Sequence, residues 1–348
     1  MDDEMPPEDS PGSSGQSVEE EEVMSEVHLG CPPGLSGPFM SNFTVSIPPS
    51  IKDETIWRGY SYVGDDSAST SKGYELDEDG DLILTRRNQL HRNQFVVTIR
   101  HNITSSIPRV GVQVWKAELV LADFVLHKMF TSQEFDGVVA VELGAGTGLV
   151  GLLLARAART VFITDHGEEI LDNCIKNVHA NAGLLYPSVS VYVRELDWNC
   201  PWPPQMVEGS ESAKSYNWTN SEVEEFQEAS LLLAADVIYS DELTTAFFST
   251  VGRIMSHQPE KVLYLALEKR YNFSLDDLDV VANGYSHFRS YVSEEDSEDL
   301  QNSSTLGFTG KRVDLGQIPQ YVRGYERGND VELWQIKYEK NKCFDLVL

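Results

Sequence analysis

From Pro108 onward, short apolar runs alternate with segments in which apolar residues recur every three or four positions. The run Val138–Leu143 is continuously apolar, apart from Glu142, which is typical of a strand buried on both faces. Further strands are predicted at Val161–Ile163, Val189–Val193, Leu231–Ile238 and Val262–Leu267. Helices are predicted at Ala117–Met129, Leu149–Arg159 and Leu243–Met255 and around Ile170. This alternation predicts a mostly parallel α/β sheet that is covered by helices on both faces.

The ends of the chain differ from this middle part. Residues 1–50 are rich in Pro, Gly, Ser and acidic residues and are predicted to be disordered. Residues 51–110 contain two β-like runs, Leu82–Leu84 and Phe95–Ile99, which predict a small antiparallel β-rich extension. The α/β domain is then expected at 111–348, with surface insertions at 201–228 and 293–305. His287–Val292 and Val331–Tyr338 are predicted to close the sheet as an antiparallel pair.

The charge balance is strongly acidic and unevenly distributed. The formal net charge is −28, and residues 1–30 hold ten acidic residues without a lysine or arginine. The simplest interpretation is a solvated tail, and the alternative is a segment that attracts a basic partner. Direct nucleic-acid binding is disfavoured because basic patches are lacking, and no apolar run approaches the ~20 residues of a membrane span. The four cysteines lack CxxC spacing, so no metal site and an intracellular, reducing location are expected.

The most informative segment is the glycine-rich turn at Val141–Gly151, which joins a buried strand to a helix. Glycines allow a sharp backbone turn and close approach of a ligand. Gly146–Gly151 also fits the GxGxxG pattern, and Asp165 follows 19 residues after Gly146. A nicotinamide-dependent oxidoreductase therefore stays open at this point.

Three side chains at predicted strand ends help to choose the cofactor. Glu142 beside the glycines suits a ligand with sulfonium and ammonium charges, whereas it would repel a pyrophosphate. Asp165 can accept hydrogen bonds from ribose hydroxyls, and Trp198 can pack on an adenine ring. These positions favour S-adenosylmethionine. The structural alternatives are that Glu142 pairs with a nearby base and that Trp198 belongs to the core.

The fourth predicted strand ends in Asp236 and Tyr239, which predict an acceptor site for an amine. The carboxylate supplies negative charge and the ring face attracts a cation. The alternative is that Asp236 caps the following helix and Tyr239 packs against it. Trp115, just before the first helix, either covers the cofactor or anchors that helix.

Trp115, ELGAGTG at 142–148, Asp165, LDW at 196–198 and DVIY at 236–239 occur in the order of a known family. Over about Gly111 to Tyr338 the chain resembles methyltransferase family 16, the seven-strand protein lysine methyltransferases. The resemblance implies a Rossmann-like, seven-stranded fold with a C-terminal antiparallel strand. It implies that Asp236 and Tyr239 lie at the acceptor nitrogen. The cofactor contacts that it implies are Trp115, Gly144, Ala145, Gly146, Asp165, Trp198 and Ala235.

The resemblance also implies an activity, methyl transfer from S-adenosylmethionine to a lysine amine of a non-histone protein. Partners in such families are often molecular chaperones, and members are usually monomeric and either cytosolic or nuclear. The acidic charge favours a basic substrate and the nucleus. Three alternatives remain: a histidine acceptor, a non-catalytic binding module that retains the fold, and the oxidoreductase, for which no YxxxK pairing is found.

Overall fold

The computed structural model describes residues 22–27, 37–49, 51, 93–204, 216–274, 279–295 and 307–339. Its longer strands are β2 (Phe39–Ser46), β3 (Gln94–His101), β5 (Val139–Leu143), β6 (Thr160–Asp165), β7 (Ser190–Glu195), β8 (Leu231–Ala235), β9 (Val262–Glu268), β13 (Phe308–Val313) and β14 (Val331–Tyr338). Its three-residue strands are β1 (Glu22–Met24), β4 (Thr104–Ser106), β10 (Asn272–Ser274), β11 (Asp279–Val281) and β12 (Val292–Glu294). Its α-helices are α1 (Lys116–Thr131), α2 (Leu149–Leu154), α3 (Glu168–Ala180), α4 (Asn220–Gln227), α5 (Asp241–Met255) and α6 (Asn283–Tyr291).

One eight-stranded sheet forms the centre of the described residues, in the order β12-β13-β14-β9-β8-β5-β6-β7. Strands β7, β6, β5, β8 and β9 pair in parallel, and β14 runs antiparallel to both of its neighbours. The predicted Rossmann-like fold with a C-terminal antiparallel strand is confirmed. The sheet has one strand more than the expected seven because β12 pairs with the outer edge of β13.

Helices cover both faces of this sheet because its central strands are apolar on both sides. All five residues of β5 are buried. Ala140 belongs to the core shared with α1 and α2, whereas Val141 belongs to the core shared with α5 and α6. Polar side chains that could bind a ligand are therefore expected at the ends of the strands rather than on the faces of the sheet.

The prediction of a strand at His287–Val292 is wrong, because most of this segment belongs to helix α6. Its aromatic residues Tyr285, Phe288 and Tyr291 recur every three positions, and Phe288 packs edge-on against Trp334 of β14. The strand that pairs with β14 is Phe308–Val313. The predicted surface insertion at 293–305 begins in β12, and its residues 296–305 lie outside the described ranges.

The prediction that residues 1–50 are disordered is wrong for β1 and β2. Strand β2 pairs with β3 along its whole length, and β1 pairs with β4. Within β2, Phe43 and Val45 are fully buried and alternate with more exposed polar residues. Average composition over 50 residues hid this short alternating segment. The expected partner of β3, Leu82–Leu84, lies outside the described residues.

The β2–β3 ribbon is attached to the sheet domain by three asparagines of α3, which we call the asparagine ladder. Asn173, Asn177 and Asn181 lie four residues apart and therefore on one helix face. Asn177 accepts from the Arg100 N–H at 2.7 Å, and its amide donates to the Arg100 carbonyl at 3.2 Å. Asn181 makes the equivalent pair with Thr98, at 2.9 and 2.7 Å. Asn173 adds a bond to the Arg100 carbonyl at 2.9 Å.

The segment 201–228 was expected to be a surface loop, and this is wrong for its described second half. Helix α4 begins at Asn220, where Thr219 and Glu222 form a reciprocal capping box. Trp202, Trp218 and Phe226 are buried. Trp218 and Phe226 pack against Phe162 of β6, and Trp202 packs against Phe226. The aromatic residues of the segment therefore extend the core, while residues 205–215 are outside the described ranges.

The loop before β14 is held by a buried carboxylate in the middle of α1. Asp123 is fully buried and forms an ion pair with Arg327, with Nη2 and Oδ2 2.8 Å apart. Its other oxygen accepts from the backbone N–H groups of Tyr321 and Val322 at 2.7 and 2.8 Å. The Tyr325 hydroxyl donates to Oδ2 at 2.5 Å. The charge is thus compensated by four donors.

Candidate active site

A cavity of about 320 Å³ opens at the carboxyl ends of β5, β6, β7 and β8. This is where open α/β sheets bind ligands. The ten residues predicted for the site all line it: Trp115, Glu142, Gly144, Ala145, Gly146, Asp165, Trp198, Ala235, Asp236 and Tyr239. The described structure therefore brings together residues that are up to 124 positions apart in the sequence.

The glycine turn after β5 forms the floor of the cavity. Gly144, Gly146 and Gly148 have φ values of +63°, +54° and +78°, a region that strongly favours glycine. A Cβ atom at Gly146 would lie 3.0 Å from the carbonyl oxygen of Gly111. The glycines are thus required both by the turn and by the loop that passes over it.

Asp165 ends β6 and organises the turn from the neighbouring strand. Its Oδ2 accepts from the N–H of Gly146 at 2.7 Å, and its Oδ1 accepts from the N–H of His166 at 2.7 Å. Burial raises the pKa of this carboxyl, although these two N–H groups oppose the shift. Each carboxylate oxygen has a second lone pair, so Asp165 can also accept from the hydroxyls of a ribose.

Two further carboxyls lie buried beside the turn. Glu142 accepts from the N–H of Gly151 at 2.9 Å, so it does not pair with a base as its alternative interpretation required. Glu118 of α1 accepts from the Thr147 hydroxyl at 2.6 Å. Burial raises the pKa of Glu118 to about 7. Burial, followed by repulsion from Glu118, raises the pKa of Glu142 well above its ordinary value.

Two tryptophans enclose the cavity. Trp115 donates from Nε1 to the Val110 carbonyl at 3.1 Å, which fixes its ring at the start of α1. Trp198 packs edge-on against Phe247 of α5, with ring centroids 5.0 Å apart. A Cβ atom on Gly144 would lie only 3.1 Å from the Trp198 ring. Trp198 therefore contacts both the core and the glycine turn, and an aromatic face is available beside the ligand space.

Asp236 and Tyr239, which follow β8, also line the cavity. Asp236 adopts φ of +57°, and its N–H donates to the Ala266 carbonyl of β9 at 2.9 Å. Tyr239 is 42% exposed and lies at the mouth. The N-cap of α5 is Ser240, which accepts from the N–H of Leu243. The alternative interpretation of Asp236 as the cap of this helix is therefore wrong.

The Asp236 carboxylate has one paired and one unpaired oxygen. Oδ2 lies 2.5 Å from Nη2 of Arg270, whereas the buried Oδ1 has no hydrogen-bond partner among the described residues. Burial raises the pKa of Asp236 to about 6, and the positive charge of Arg270 opposes this shift. One oxygen of this cavity-lining carboxylate thus lacks a hydrogen-bond donor among the described residues.

Sequence reasoning did not assign Glu118 or Arg270 to the site. Glu118 had a visible signal, because an acidic residue lies among the apolar residues of the first turns of α1. Arg270 follows the end of β9 beside Glu268 and Lys269, and charged residues in such a cluster are usually exposed to solvent. Its pairing with Asp236 depends on the adjacency of β8 and β9, which single-sequence patterns do not specify.

No three His, Cys, Asp or Glu side chains in the described ranges are arranged to hold a metal ion. No described helix combines the length and apolar character that crossing a membrane requires.

Comparison with known proteins identifies the family. A model described as "Lysine methyltransferase" matches residues 92–213. Protein N-lysine methyltransferase METTL21A of Danio rerio is 30% identical over 197 residues, which cover 54% of this chain and 77% of that protein. The chain belongs to the lysine methyltransferase family. The matched residues begin two positions before β3 and run through the glycine turn to β7 and Trp198.

Higher identity is found with longer members of this family. Methyltransferase-like protein 22 of Mus musculus is 35% identical over 250 residues, covering 70% of this chain and 60% of that protein. The Homo sapiens protein of the same name is 35% identical over 248 residues, covering 69% and 57%. The chain thus spans somewhat less than two thirds of the length of these two relatives.

The cofactor of this family is S-adenosylmethionine, and the cavity residues fit it. That molecule carries positive sulfonium and ammonium groups, and the buried carboxyls of Glu118 and Glu142 line the cavity, where a bound cation favours their ionised forms. Its ribose requires an acceptor such as Asp165, and its adenine requires an aromatic face such as Trp198. A pyrophosphate would be repelled by the same carboxyls, which disfavours the oxidoreductase alternative.

Proposed function

We propose that this protein transfers a methyl group from S-adenosylmethionine to the side-chain amine of a lysine on another, non-histone protein. The observation that carries the proposal is the buried, unpaired Oδ1 of Asp236, a residue that lines the cofactor cavity. Membership of the lysine methyltransferase family supports it, as does the similarity to METTL21A, a protein N-lysine methyltransferase.

The cofactor side of the site comprises Trp115, Glu142, Gly144, Ala145, Gly146, Asp165, Trp198 and Ala235. When bound, S-adenosylmethionine supplies an electrophilic methyl group on a sulfonium centre. Asp165 orients the ligand by accepting hydrogen bonds from its ribose hydroxyls. The carboxyls of Glu118 and Glu142 beside the glycine turn favour the positive charges of the ligand. The glycine turn allows close backbone contact.

Asp236 and Tyr239 are assigned to the acceptor side. A lysine amine must lose a proton before its nitrogen can react, and a desolvated pocket lowers the pKa of an ammonium group. Oδ1 of Asp236 accepts a hydrogen bond from the nitrogen and fixes the direction of its lone pair. The exposed Tyr239 ring attracts the approaching cation at the mouth. Alignment of this kind is the main requirement of an in-line displacement.

The substrate is proposed to be a basic protein, because the net charge of −28 favours basic partners. Molecular chaperones are one candidate class, which the family resemblance implies. Direct nucleic-acid binding is not proposed. The protein is expected to act as a monomer, which light scattering would check. A nuclear location is favoured over a cytosolic one, and fluorescence imaging that finds the protein only in the cytosol would contradict it.

The decisive experiment incubates the full chain with S-adenosylmethionine carrying a radiolabelled methyl group and with cell extract. We expect label in a discrete protein band and, after hydrolysis, in methylated lysine. The control is Asp236→Ala, which should bind the cofactor in calorimetry but transfer no label. Label in methylhistidine would show that the acceptor is histidine and not lysine. Cofactor binding without transfer to any protein would favour the non-catalytic module.

A further inference from the structure

Arg270 connects the acceptor side of the cavity to its cofactor side. Its guanidinium pairs with Oδ2 of Asp236 at 2.5 Å and lies over the Trp115 ring, with Cζ 4.9 Å from the ring centroid. An arginine that is both ion-paired and stacked has little rotational freedom. The planar group therefore holds one oxygen of Asp236 in a fixed position.

The neighbouring cations are engaged elsewhere. Lys116 pairs with Glu268, and Lys269 pairs with Glu332 at 2.6 Å and lies over the Tyr285 ring. Among the described residues, Arg270 is thus the cation that neutralises Asp236. Its removal would leave a buried carboxylate without a charged partner, which is energetically costly.

The other charged groups near Asp236 are acidic and oppose the effect of Arg270, because they disfavour ionisation of the Asp236 carboxyl. Glu268 at the end of β9, Glu26 in the N-terminal segment and Glu118 of α1 are acidic. Glu26 is held close by accepting from the N–H of Lys116 at 2.8 Å. Burial and these carboxyls favour the protonated form of Asp236, and Arg270 favours the ionised form. Tyr239 also faces Asp236 and is a neutral phenol at pH 7.

The protonation state of Asp236 determines what its unpaired Oδ1 can bind. Buried polar atoms normally have a hydrogen-bond partner, so an orphan oxygen on a residue that lines a ligand cavity indicates a site that a ligand completes. A protonated Asp236 would offer a hydroxyl donor, which competes with the N–H of an amine. An ionised Asp236 offers acceptors alone.

We propose that Arg270 is a positioning residue of the acceptor site: it keeps Asp236 ionised at neutral pH and leaves Oδ1 to accept from the incoming amine. This inference rests on the proposed lysine methylation. It adds a residue to the site that acts on Asp236 rather than on the substrate.

The first test compares Arg270→Gln with Arg270→Lys, which retains the charge, and with Lys269→Gln, a matched control that removes the adjacent cation. The pH dependence of kcat/KM is measured for methyl transfer to the labelled protein. In Arg270→Gln, the lower break in the profile should move up by roughly 1–3 pH units, the usual effect of losing an opposite charge. It should stay near that of the wild type in Arg270→Lys and in Lys269→Gln. An unshifted break in Arg270→Gln, or an equal shift in Lys269→Gln, would overturn the proposal.

A second test does not depend on catalysis. Urea unfolding is followed between pH 5 and 8 for the wild type, Arg270→Gln, Asp236→Asn and the double variant. Because the folded state of Arg270→Gln should hold its Asp236 proton more tightly, its stability should fall further behind the wild type above about pH 6. With Asp236→Asn as the background, the same substitution should cause a loss that is independent of pH. A pH-independent difference in both backgrounds would exclude the role of Arg270, whereas absence of methyl transfer by the wild type would contradict only the proposed function.

Discussion

The Glu118 carboxylate accepts a 2.6 Å hydrogen bond from the Thr147 hydroxyl, which joins α1 directly to the glycine turn. Glu142 lies on the other side of the turn and binds the N–H of Gly151 in α2. Two buried carboxyls thus share one small region, and each raises the cost of ionising the other. A cation bound between them would relieve that cost.

Cofactor binding is therefore expected to depend on pH. The pKa of Glu118 is raised to about 7 in the free protein, so this carboxyl is protonated and neutral below that pH. A cationic ligand favours the ionised form, and its affinity should rise as pH increases from 6 to 8. Calorimetric titration with S-adenosylmethionine at both pH values checks this. Glu118→Gln should reduce the dependence, and equal wild-type affinities at pH 6 and 8 would be incompatible with it.

Asp165 and Asp236 should have separable roles. Asp165→Ala removes a charged acceptor from the ligand and from the glycine turn, so the cofactor should bind roughly 10- to 100-fold more weakly. Asp236→Ala should leave cofactor affinity nearly unchanged but lower kcat roughly 100-fold or more. Calorimetry and single-turnover methyl transfer measure the two effects. Normal binding and activity in both variants would refute this assignment of the site.

Two glycines with similar backbone angles allow a controlled test of the turn. Gly146 and Gly137 have φ of +54° and +69°, so alanine at either position costs about 1–2 kcal/mol in left-handed strain. A Cβ at Gly146 also meets the Gly111 carbonyl oxygen at 3.0 Å, whereas a Cβ at Gly137 meets nothing within 4 Å. Gly146→Ala should therefore destabilise more in urea unfolding and weaken cofactor binding. A comparable loss of binding in Gly137→Ala would show that strain alone is responsible.

The buried ion pair between Asp123 and Arg327 should be important for stability. Asp123→Asn leaves the Arg327 charge without its partner, and a loss of about 3–5 kcal/mol in the free energy of unfolding is expected. The comparison is Glu228→Gln, which breaks an ion pair with Arg159 in which both side chains are more than half exposed. That variant should lose at most about 1 kcal/mol. Similar losses would mean that burial does not distinguish the pairs.

The sheet and the polar strand ends could be predicted because they depend on local sequence. Val138–Leu143 is apolar and short, and the glycines that follow it leave few backbone alternatives. The turn then places Gly146 beside Asp165, since consecutive parallel strands lie next to each other. All ten predicted site residues consequently line one cavity, although their individual roles stay predictions.

Other features depend on tertiary contacts and were missed for that reason. The segment His287–Val292 was predicted as a strand, but most of it is helical because Phe288 packs in the core beside Phe248 of α5. Phe39–Ser46 forms β2 because it pairs with Gln94–His101. A local sequence pattern does not indicate which distant segment a strand pairs with. Arg270 lies beside Asp236 because β9, which precedes it, pairs with β8 in the sheet, and this pairing could not be predicted from the sequence.

The asparagine ladder also determines how the ribbon meets other molecules. An exposed strand edge offers unpaired N–H and C=O groups on which a strand from another chain can grow. On β3, the backbone groups of Thr98 and Arg100 are already occupied by side-chain amides. The far edge of β2 is met by Tyr321 and Arg323. Helix α3 thus protects the edge of β3 from pairing with a strand of another molecule, and loss of Asn177 or Asn181 would leave backbone groups of that edge unpaired.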